Sequence, residues 1–366
     1  DQGYFIVNFQ LPDGASLERA DEVGKRVEAI LHDTPGIAGW NLFGAYDVLT
    51  NTSPSNVGSF FVTLSPWAER DGQEESLKAI MGKVQPRVSA IEEAVVRVLS
   101  PAPVRGLSRT GGFEFQLEDR SGGSVESLAA MAQTLIEKSR ERPELAGLFT
   151  SFRSATPQIF VDLDRAKAKS LGVRVDDVFE TLQTFMGGLY VNDFDRFGRP
   201  FRVYTQAESD LRASPEDVER LWVRSERGEM VPVSTLVTLS RIAGPRDIPH
   251  YNVYRTATIR GQAAPGYSSG EALDAMEALA REVLPDTMAF EWTGTAYQER
   301  QVGRESQIVL ALSLVVVFLF LAAQFESWSL PLVILLAVPL AFLGALGAQL
   351  MRGLGNDLFG QIGLVT

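Results

Sequence analysis

The hydrophobic and polar positions divide the chain into a long patterned segment and an apolar end. Residues 306–325 and 327–351 contain no charged side chain, and only Glu326 carries a charge between them. A helix of about 20 residues rises about 30 Å, which matches the hydrocarbon core of a membrane. We therefore expect two membrane-spanning helices joined as an antiparallel hairpin, and a third apolar run starts at 358. Two buried core helices of a large soluble protein are the alternative, although apolar runs of this length are rare in soluble folds.

The patterned segment repeats one order of strands and helices. Alternating apolar residues predict strands at 4–11, 37–43, 59–64 and 94–99, and three- and four-residue spacing predicts helices at 17–31 and 77–91. The same order returns with strands at 112–118, 145–153, 256–261 and 288–293 and helices at 128–136 and 272–283. A capping box from Ser268 to Glu271 opens the last of these helices. Because βαββαβ is the ferredoxin-like order, the sequence predicts an α+β fold with two such units, the second split by an insert at 156–249.

The insert carries turn signals of its own. We expect a helix at 175–186, a hairpin at 190–205 around Phe197-Gly198, and another hairpin at 221–239 around Arg227-Gly228. Ser214 before Pro215 predicts a helix start. A projection rich in hairpins favours contact with another subunit or partner, and a small self-contained cap is the alternative.

Composition narrows the classes of function. The chain has 34 basic and 46 acidic residues, a net charge of −12, which argues against nucleic acid as a partner. It has no cysteine and two histidines, too few for a thiolate or His-rich metal site. No phosphate loop, HExxH or GxSxG motif is present, so we expect no enzyme activity. The chain begins without Met and ends inside an apolar run, as expected for a piece of a longer polypeptide.

Five segments resemble one protein family, and they occur in that family's order. They are MGGLYVNDF at 186–194, GQAAPGYSSG at 261–270, EWTGTAYQER at 291–300, ESWSLP at 326–331 and RGLGND at 352–357. They resemble the resistance-nodulation-division (RND) multidrug efflux pumps of the hydrophobe/amphiphile branch, the acriflavine resistance protein B type. The resemblance extends over the whole chain.

The resemblance implies a domain assignment. It places the first porter subdomain of the pump's second half at 1–103, the second porter subdomain at 104–155 and 250–300, the docking subdomain at 156–249 and membrane helices at 301–366. It also implies a bacterial inner-membrane drug:proton antiporter with its polar part in the periplasm, driven by the proton-motive force without a cofactor. A homotrimer, a periplasmic adaptor, an outer-membrane channel, and hydrophobic or amphiphilic small-molecule substrates are the implied partners.

The resemblance also assigns binding residues. The proximal pocket would contain Ile6, Asn8, Phe113, Phe115, Leu117 and Arg153; the distal pocket Trp40, Leu42, Tyr46 and Phe61; and the switch loop at 43–58 would include Phe43, Gly44 and Gly58. Apolar and aromatic walls with few polar groups accept varied substrates without strict hydrogen-bond matching.

Two interpretations of the residues at 113, 115 and 117 remain open from the pattern alone. Alternate residues share one face of a strand, so these side chains point the same way. Aromatic side chains on a strand beside an amphipathic helix usually belong to a core. The family position instead implies a face that opens to a cleft between subdomains. For Trp67 and Trp292 we expect a core position.

Other functions are distinguished by features of the spans and of the substrate pocket. The heavy-metal branch uses methionine ligands, and Ile6 stands where one is expected, which argues against metal export. The spans carry no charged residue, so a proton relay must lie outside the chain. We expect the first span to link the membrane mechanically to the second porter subdomain. The alternatives are a membrane-tethered sensor or scaffold, a membrane-anchored enzyme, and an RND member with another substrate class.

Overall fold

The computed structural model describes residues 1–70, 72–104 and 106–352, without the side chains at 73, 302–311 and 337–338. Up to residue 150, its strands and α-helices are β1 (Tyr4–Gln10), α1 (Leu17–His32), β2 (Ile37–Gly44), β3 (Val57–Leu64), α2 (Leu77–Ser89), β4 (Val95–Leu99), β5 (Phe113–Asp119), α3 (Val125–Ser139) and β6 (Leu145–Thr150). The next part of the chain contains β7 (Thr156–Leu163), α4 (Arg165–Ser170), α5 (Val175–Leu182), β8 (Leu189–Arg196), β9 (Arg199–Thr205), β10 (Trp222–Arg224), β11 (Met230–Pro232) and β12 (Val237–Gly244). It continues with β13 (His250–Tyr251), β14 (Tyr254–Ala263), α6 (Ser269–Val283), β15 (Met288–Thr293), α7 (Gly294–Phe325), α8 (Ser329–Leu335) and α9 (Ala337–Met351).

These elements form a mixed fold with antiparallel sheets, as expected for the predicted α+β class. The chain divides into two compact units. One unit contains Asp1–Ser154 together with the chain from Pro245 onward, and the other contains Ala155–Gly244. The second unit nearly coincides with the insert predicted at 156–249.

The first sheet has the strand order β2-β3-β1-β4, and α1 and α2 cover one face of it. Both helices begin at a serine cap. The Oγ of Ser16 accepts a hydrogen bond from the Arg19 N–H at 3.4 Å, and that of Ser76 accepts one from the Ala79 N–H at 3.3 Å. Alternate residues of β1, including Phe5 and Phe9, point into the core beneath the helices.

The second sheet repeats this arrangement. Its strand order is β13-β14-β5-β15, and β6 pairs with the free part of β14. The first strand of each copy thus lies between the third and fourth strands of that copy. Helices α3 and α6 contribute to its hydrophobic core. The capping box predicted for α6 is confirmed, because Ser268 and Glu271 each accept the other's backbone N–H.

Gly58 lies inside β3 rather than in a loop, so the switch loop predicted at 43–58 ends before this residue. It pairs with Phe9 of β1, and a Cβ at this position would overlap the Phe9 ring. Only glycine leaves room for that ring.

The Gly58→Ala substitution is expected to destabilise the fold by about 1–3 kcal/mol, because the buried Phe9 ring would have to leave its rotamer. Thermal unfolding of the purified transporter measures the effect. Gly39→Ala is the matched control, since a Cβ on this β2 glycine meets nothing within 4 Å. Equal melting temperatures for the two variants would contradict the packing described here.

The second unit has its own core around Val178, Val233 and Leu236. The hairpin of β8 and β9 turns at Phe197 and Gly198, both with positive φ, as the sequence predicted. The helix predicted at 175–186 is α5 followed by a π-helical turn at Gln183–Gly188. The hairpin predicted at 221–239 is wrong in its second half. β10 pairs with β11 across the predicted turn, whereas β12, at the end of this segment, pairs with β7.

The apolar end is helical through residue 351. The span predicted at 306–325 lies within α7, and the span at 327–351 corresponds to α8 and α9. The helix is interrupted at Leu336, three residues before Pro339, whose missing N–H removes one helical hydrogen bond. Within the described part of the chain, one helical stretch, Ser329–Met351, is long and apolar enough to cross a membrane, with a mean hydropathy of 2.4. Leu312–Phe325 is a shorter apolar helix, and the run predicted to start at 358 lies outside the described residues.

Candidate functional site

The two sheets of the first unit each have a face that points away from their helices, called the cleft face below. On the first sheet it carries Asn8, which is paired in register with Ser59 and Arg97. On the second sheet Thr258 and Arg260 of β14 lie on it. Arg260 donates a hydrogen bond from Nη2 to the Leu49 carbonyl oxygen at 3.0 Å, which joins the second sheet to the segment that follows β2.

That segment, residues 45–56, forms a cover over the cleft face of the first sheet. Its Asp47 is 5% exposed, and the carboxylate accepts hydrogen bonds from the Asn8 side-chain amide (3.1 Å), the Leu49 N–H (3.0 Å) and the Thr50 hydroxyl (2.8 Å). Ser59 donates from its hydroxyl to the Tyr46 carbonyl oxygen at 2.9 Å. These bonds hold the predicted switch loop in one conformation against the sheet.

We expect Asp47→Ala to destabilise the transporter by about 1–3 kcal/mol, because the buried Asn8 amide and Leu49 N–H would lose their acceptor. Limited proteolysis should then cut the chain within 45–56 faster than in the parent protein. Asp286→Ala, at an exposed turn between α6 and β15, is the control and should leave the cleavage rate unchanged. Unchanged cleavage of the Asp47 variant would show that this carboxylate does not hold the cover.

A cavity of about 610 Å³ lies beside the cover. This cleft cavity is lined by Leu49, Thr50 and Thr52 of the cover and by Phe152, Arg153 and Thr258 of the second sheet and its connections. The segment before β13 closes another side with Arg246, Asp247, Ile248 and Pro249. The volume is that of a pocket for a small organic molecule.

An aromatic cluster adjoins the cover. The rings of Phe43 and Phe61 meet edge to face at 5.5 Å between centroids, and Phe43 meets Tyr46 at 6.2 Å. Phe43 is half exposed. Tyr46 and Phe61 pack against a buried cluster that includes Leu49, which also lines the cleft cavity. Apolar surface therefore continues from the cavity along the cover.

Three of the predicted proximal-pocket residues lie in the core. Phe113, Phe115 and Leu117 are 5%, 0% and 0% exposed, and Phe115 stacks on Phe290 at 4.9 Å. The expectation that their face opens to a cleft is wrong in this structure. The apolar positions of β5 turn toward α3 and α6, whereas the alternate positions, such as Gln116, turn toward the cleft face. Their role in binding substrate stays a prediction.

Two predicted distal-pocket residues also lie on a helix-covered face. Trp40 and Leu42 pair with the core residues Val62 and Phe60, and the Trp40 ring meets His32 of α1 edge to face at 6.4 Å between centroids. Leu42 lines a second cavity, the α1 groove, of about 720 Å³ between α1 and the edge strand β2. Gly44, assigned to the switch loop, ends β2 and lines the same groove.

The remaining predicted residues lie on the cleft side. Arg153 lines the cleft cavity. Ile6 and Asn8 are each 2% exposed, because residues 45–56 cover them. Trp292 belongs to the core as predicted, but Trp67 is 66% exposed, so the prediction for that residue is wrong.

Sequence reasoning missed Arg97, Thr258 and Arg260. A signal was available in the strand alternation, because Thr258 and Arg260 interrupt the apolar positions of β14 at every second residue. Among the described residues no group of three or more potential metal-ligating side chains is found. Absence of a bound metal remains a prediction.

Comparison with known proteins identifies the class. The whole chain, residues 1–366, matches the model of the AcrB/AcrD/AcrF family, so the chain belongs to this family of RND multidrug efflux transporters. It is 36% identical over 367 residues to the multidrug export protein AcrF of Escherichia coli strain K12. It is 35% identical over 374 residues to the multidrug/solvent efflux pump membrane transporter MepB of Pseudomonas putida, and 34% identical over 369 residues to the multidrug resistance protein MdtF of E. coli strain K12. Each match covers 100% of this chain and 35% of the relative, so the chain spans about a third of the length of these proteins.

Proposed function

We propose that the chain is the substrate-collecting part of an inner-membrane RND transporter that captures hydrophobic and amphiphilic compounds. The cleft cavity of about 610 Å³ carries this proposal. It combines a polar rim with apolar side chains and adjoins an aromatic cluster, a combination that accepts varied amphiphiles. The relatives, named as multidrug and solvent exporters, support the same substrate class.

The domain assignment is part of the proposal. Residues 1–103 form one ferredoxin-like porter subdomain, 104–155 with 250–300 form the second, 156–249 form the docking subdomain, and 301–366 belong to the membrane. Support comes from the shared strand arrangement of the two sheets and from the separate insert unit.

The proposed protein partners are supported by exposed apolar surface on the second unit and by the family. The β8–β9 hairpin exposes aromatic side chains to solvent, and exposed apolar surface of this kind commonly marks a protein interface. They are Tyr190, Phe194, Phe197, Phe201 and Tyr204. The proposed assembly is a homotrimer with a periplasmic adaptor. It passes substrate to an outer-membrane channel.

Transport is proposed to be drug:proton antiport, driven by the proton-motive force without a bound cofactor. Helix α7 follows β15 directly, so motion of the membrane part reaches the second sheet. Arg300 of α7 forms ion pairs with Asp274 at 2.7 Å and Glu277 at 3.1 Å on α6, and Glu299 accepts a hydrogen bond from the Ser269 hydroxyl at 2.7 Å. These contacts couple the first turns of α7 to α6.

Filling the cleft cavity tests the proposal. Ile248→Trp places a larger ring at a 42% exposed lining position and is expected to lower efflux of the neutral dye Nile red by about tenfold, because cavity volume is lost. Dye efflux is measured from cells in which the full-length transporter is the only drug pump.

The matched control is Leu211→Trp, where the leucine is 50% exposed and more than 30 residues along the chain from any residue that lines the cavity. Its efflux should equal that of the parent. Unchanged efflux by the Ile248 variant, at equal protein level, would rule the cavity out as a substrate route.

A further inference from the structure

Trp67 is a large apolar side chain that the fold leaves exposed to solvent. It lies in the loop that follows β3, and its side chain is 66% exposed. A single exposed apolar residue needs no partner by itself. The surroundings of Trp67 give two further observations, the rigidity of its loop and its place beside α7.

The loop that carries Trp67 is fixed by a buried arginine. The side chain of Arg70 is 3% exposed and forms an ion pair with Asp1 at 3.0 Å. Its Nε donates a hydrogen bond to the Ser65 carbonyl oxygen at 2.8 Å. Its Nη1 also donates to the Glu75 carbonyl oxygen at 3.2 Å. Because these bonds join both ends of the loop, Trp67 is held outward by a segment with little freedom to turn it inward.

Trp67 lies at the end of the first sheet where β1 begins. Tyr4 at the start of β1 pairs with Thr63 near the end of β3. The end of β4 lies here too, because Leu99 pairs with Ile6.

Helix α7 begins at the same end of the second sheet. The Gly111 N–H donates to the Ser100 carbonyl oxygen at 2.8 Å, which joins the end of β4 to the start of β5. Thr293, the last residue of β15, pairs with Glu114 of β5, so α7 begins beside the start of β5. Trp67 and the first turn of α7 therefore lie at one end of the same compact unit.

The apolar part of α7 starts close to this end. Arg300 still pairs with α6, and the charge-free run begins at 306, about 9 Å further along the helix. Tyr297, in the first turn of α7, is also exposed. Tryptophan and tyrosine are enriched where a protein meets the lipid headgroups, because an amphipathic ring suits a layer that is apolar on one side and wet on the other.

We propose that Trp67 is a membrane-interface anchor, whose ring lies among the lipid headgroups beside α7. The partner is a lipid surface, and Tyr297 is a second aromatic residue of the same belt. The net charge of −12 disfavours electrostatic attachment to anionic lipid, so the amphipathic rings supply the contact. The anchor fixes the height of the first sheet above the bilayer. This inference rests on the proposed membrane position of α7 but not on the cleft cavity as the substrate route.

Fluorescence quenching in lipid nanodiscs tests the inference. Trp67→Cys is made in a cysteine-free full-length transporter and labelled with bimane. Lipids with a nitroxide on the headgroup should quench this label at least about twofold relative to unmodified lipids, because the label lies in the headgroup layer. Lipids with a nitroxide near the end of an acyl chain should quench it less.

Two control positions separate the possible outcomes. Leu17→Cys, at an exposed position after the opposite end of β1, should not be quenched by either lipid. Leu319→Cys, exposed in the apolar part of α7, should be quenched by the acyl-chain nitroxide.

Quenching at 319 without quenching at 67 would overturn the anchor and leave the membrane position of α7 intact. A label at 67 that no lipid quenches, but whose emission shifts when a purified periplasmic adaptor is added, would assign this surface to a protein and also overturn the proposal. If neither 319 nor 67 is quenched, the proposed membrane position of α7 fails, and the inference with it.

Discussion

Replacing Phe115 with alanine is expected to lower the free energy of unfolding by about 3–5 kcal/mol. Phe115 is 0% exposed, stacks on Phe290 and meets Trp292 edge to face at 5.2 Å. Its loss leaves a cavity in the core beneath α3 and α6 that neighbouring side chains fill only in part. The midpoint of thermal unfolding of the full-length protein, followed by tryptophan fluorescence, should fall by on the order of 10 °C.

Phe43→Ala is the control, because it truncates an aromatic residue at the surface instead of one in the core. Phe43 is 50% exposed and contacts Phe61 and Tyr46 at the surface of the cover. Phe43→Ala should lower the free energy of unfolding by less than about 1 kcal/mol. If Phe115→Ala unfolds at the temperature of the parent, the buried position of β5 is contradicted, and the original pocket assignment of this face regains support.

The second large effect is expected at the start of α7, where Gly294→Val should destabilise the fold by about 2–5 kcal/mol. Gly294 has φ of +64°, which a β-branched residue adopts only with strain. A Cβ there would overlap the Ser108 hydroxyl oxygen and approach the Leu107 carbonyl oxygen to 3.0 Å. The Thr295 N–H also donates to that hydroxyl at 3.2 Å, so the substitution displaces a contact that fixes the junction with β15.

Thermal unfolding and Nile red efflux of the same preparation measure this effect. Both should fall in Gly294→Val, because α7 is the proposed mechanical link to the membrane. Gly82→Val is the control, since Gly82 is an exposed residue of α2 with nothing within 4 Å of an added Cβ. A Gly294 variant with parental stability and efflux would show that this junction tolerates rearrangement.

The element order was predictable from the sequence because each strand and helix of the first unit has a one-sided apolar pattern. The Ser268 and Glu271 capping box and the turn at Phe197-Gly198 were also predictable, because each depends only on residues that are neighbours in the sequence. The separate pairing of β12 within residues 221–239 was not predictable, because its partner is β7, which is distant in the sequence. Local patterns specify an element but not its partner.

The site was harder to predict than the fold. Strand alternation placed Phe113, Phe115 and Leu117 on one face but could not say which face the helices cover. The core interpretation, favoured by the pattern, describes their position, and the family position pointed to the other face. The arginines that line the cavity come from β14 and from two connections, the one after β6 and the one before β13. Only the folded chain brings them together.

The central claim is that the cleft cavity, and not the α1 groove, receives the substrate. Single cysteines at Thr258, which lines the cleft cavity, and at Leu17, which lines the α1 groove, compare the two directly in a cysteine-free full-length transporter. The rate of maleimide labelling at each position is measured with and without decyl maltoside. The substrate should slow labelling at 258 at least about fivefold and leave labelling at 17 unchanged, since a bound amphiphile fills a concave site. Protection at 17 without protection at 258 would contradict the claim.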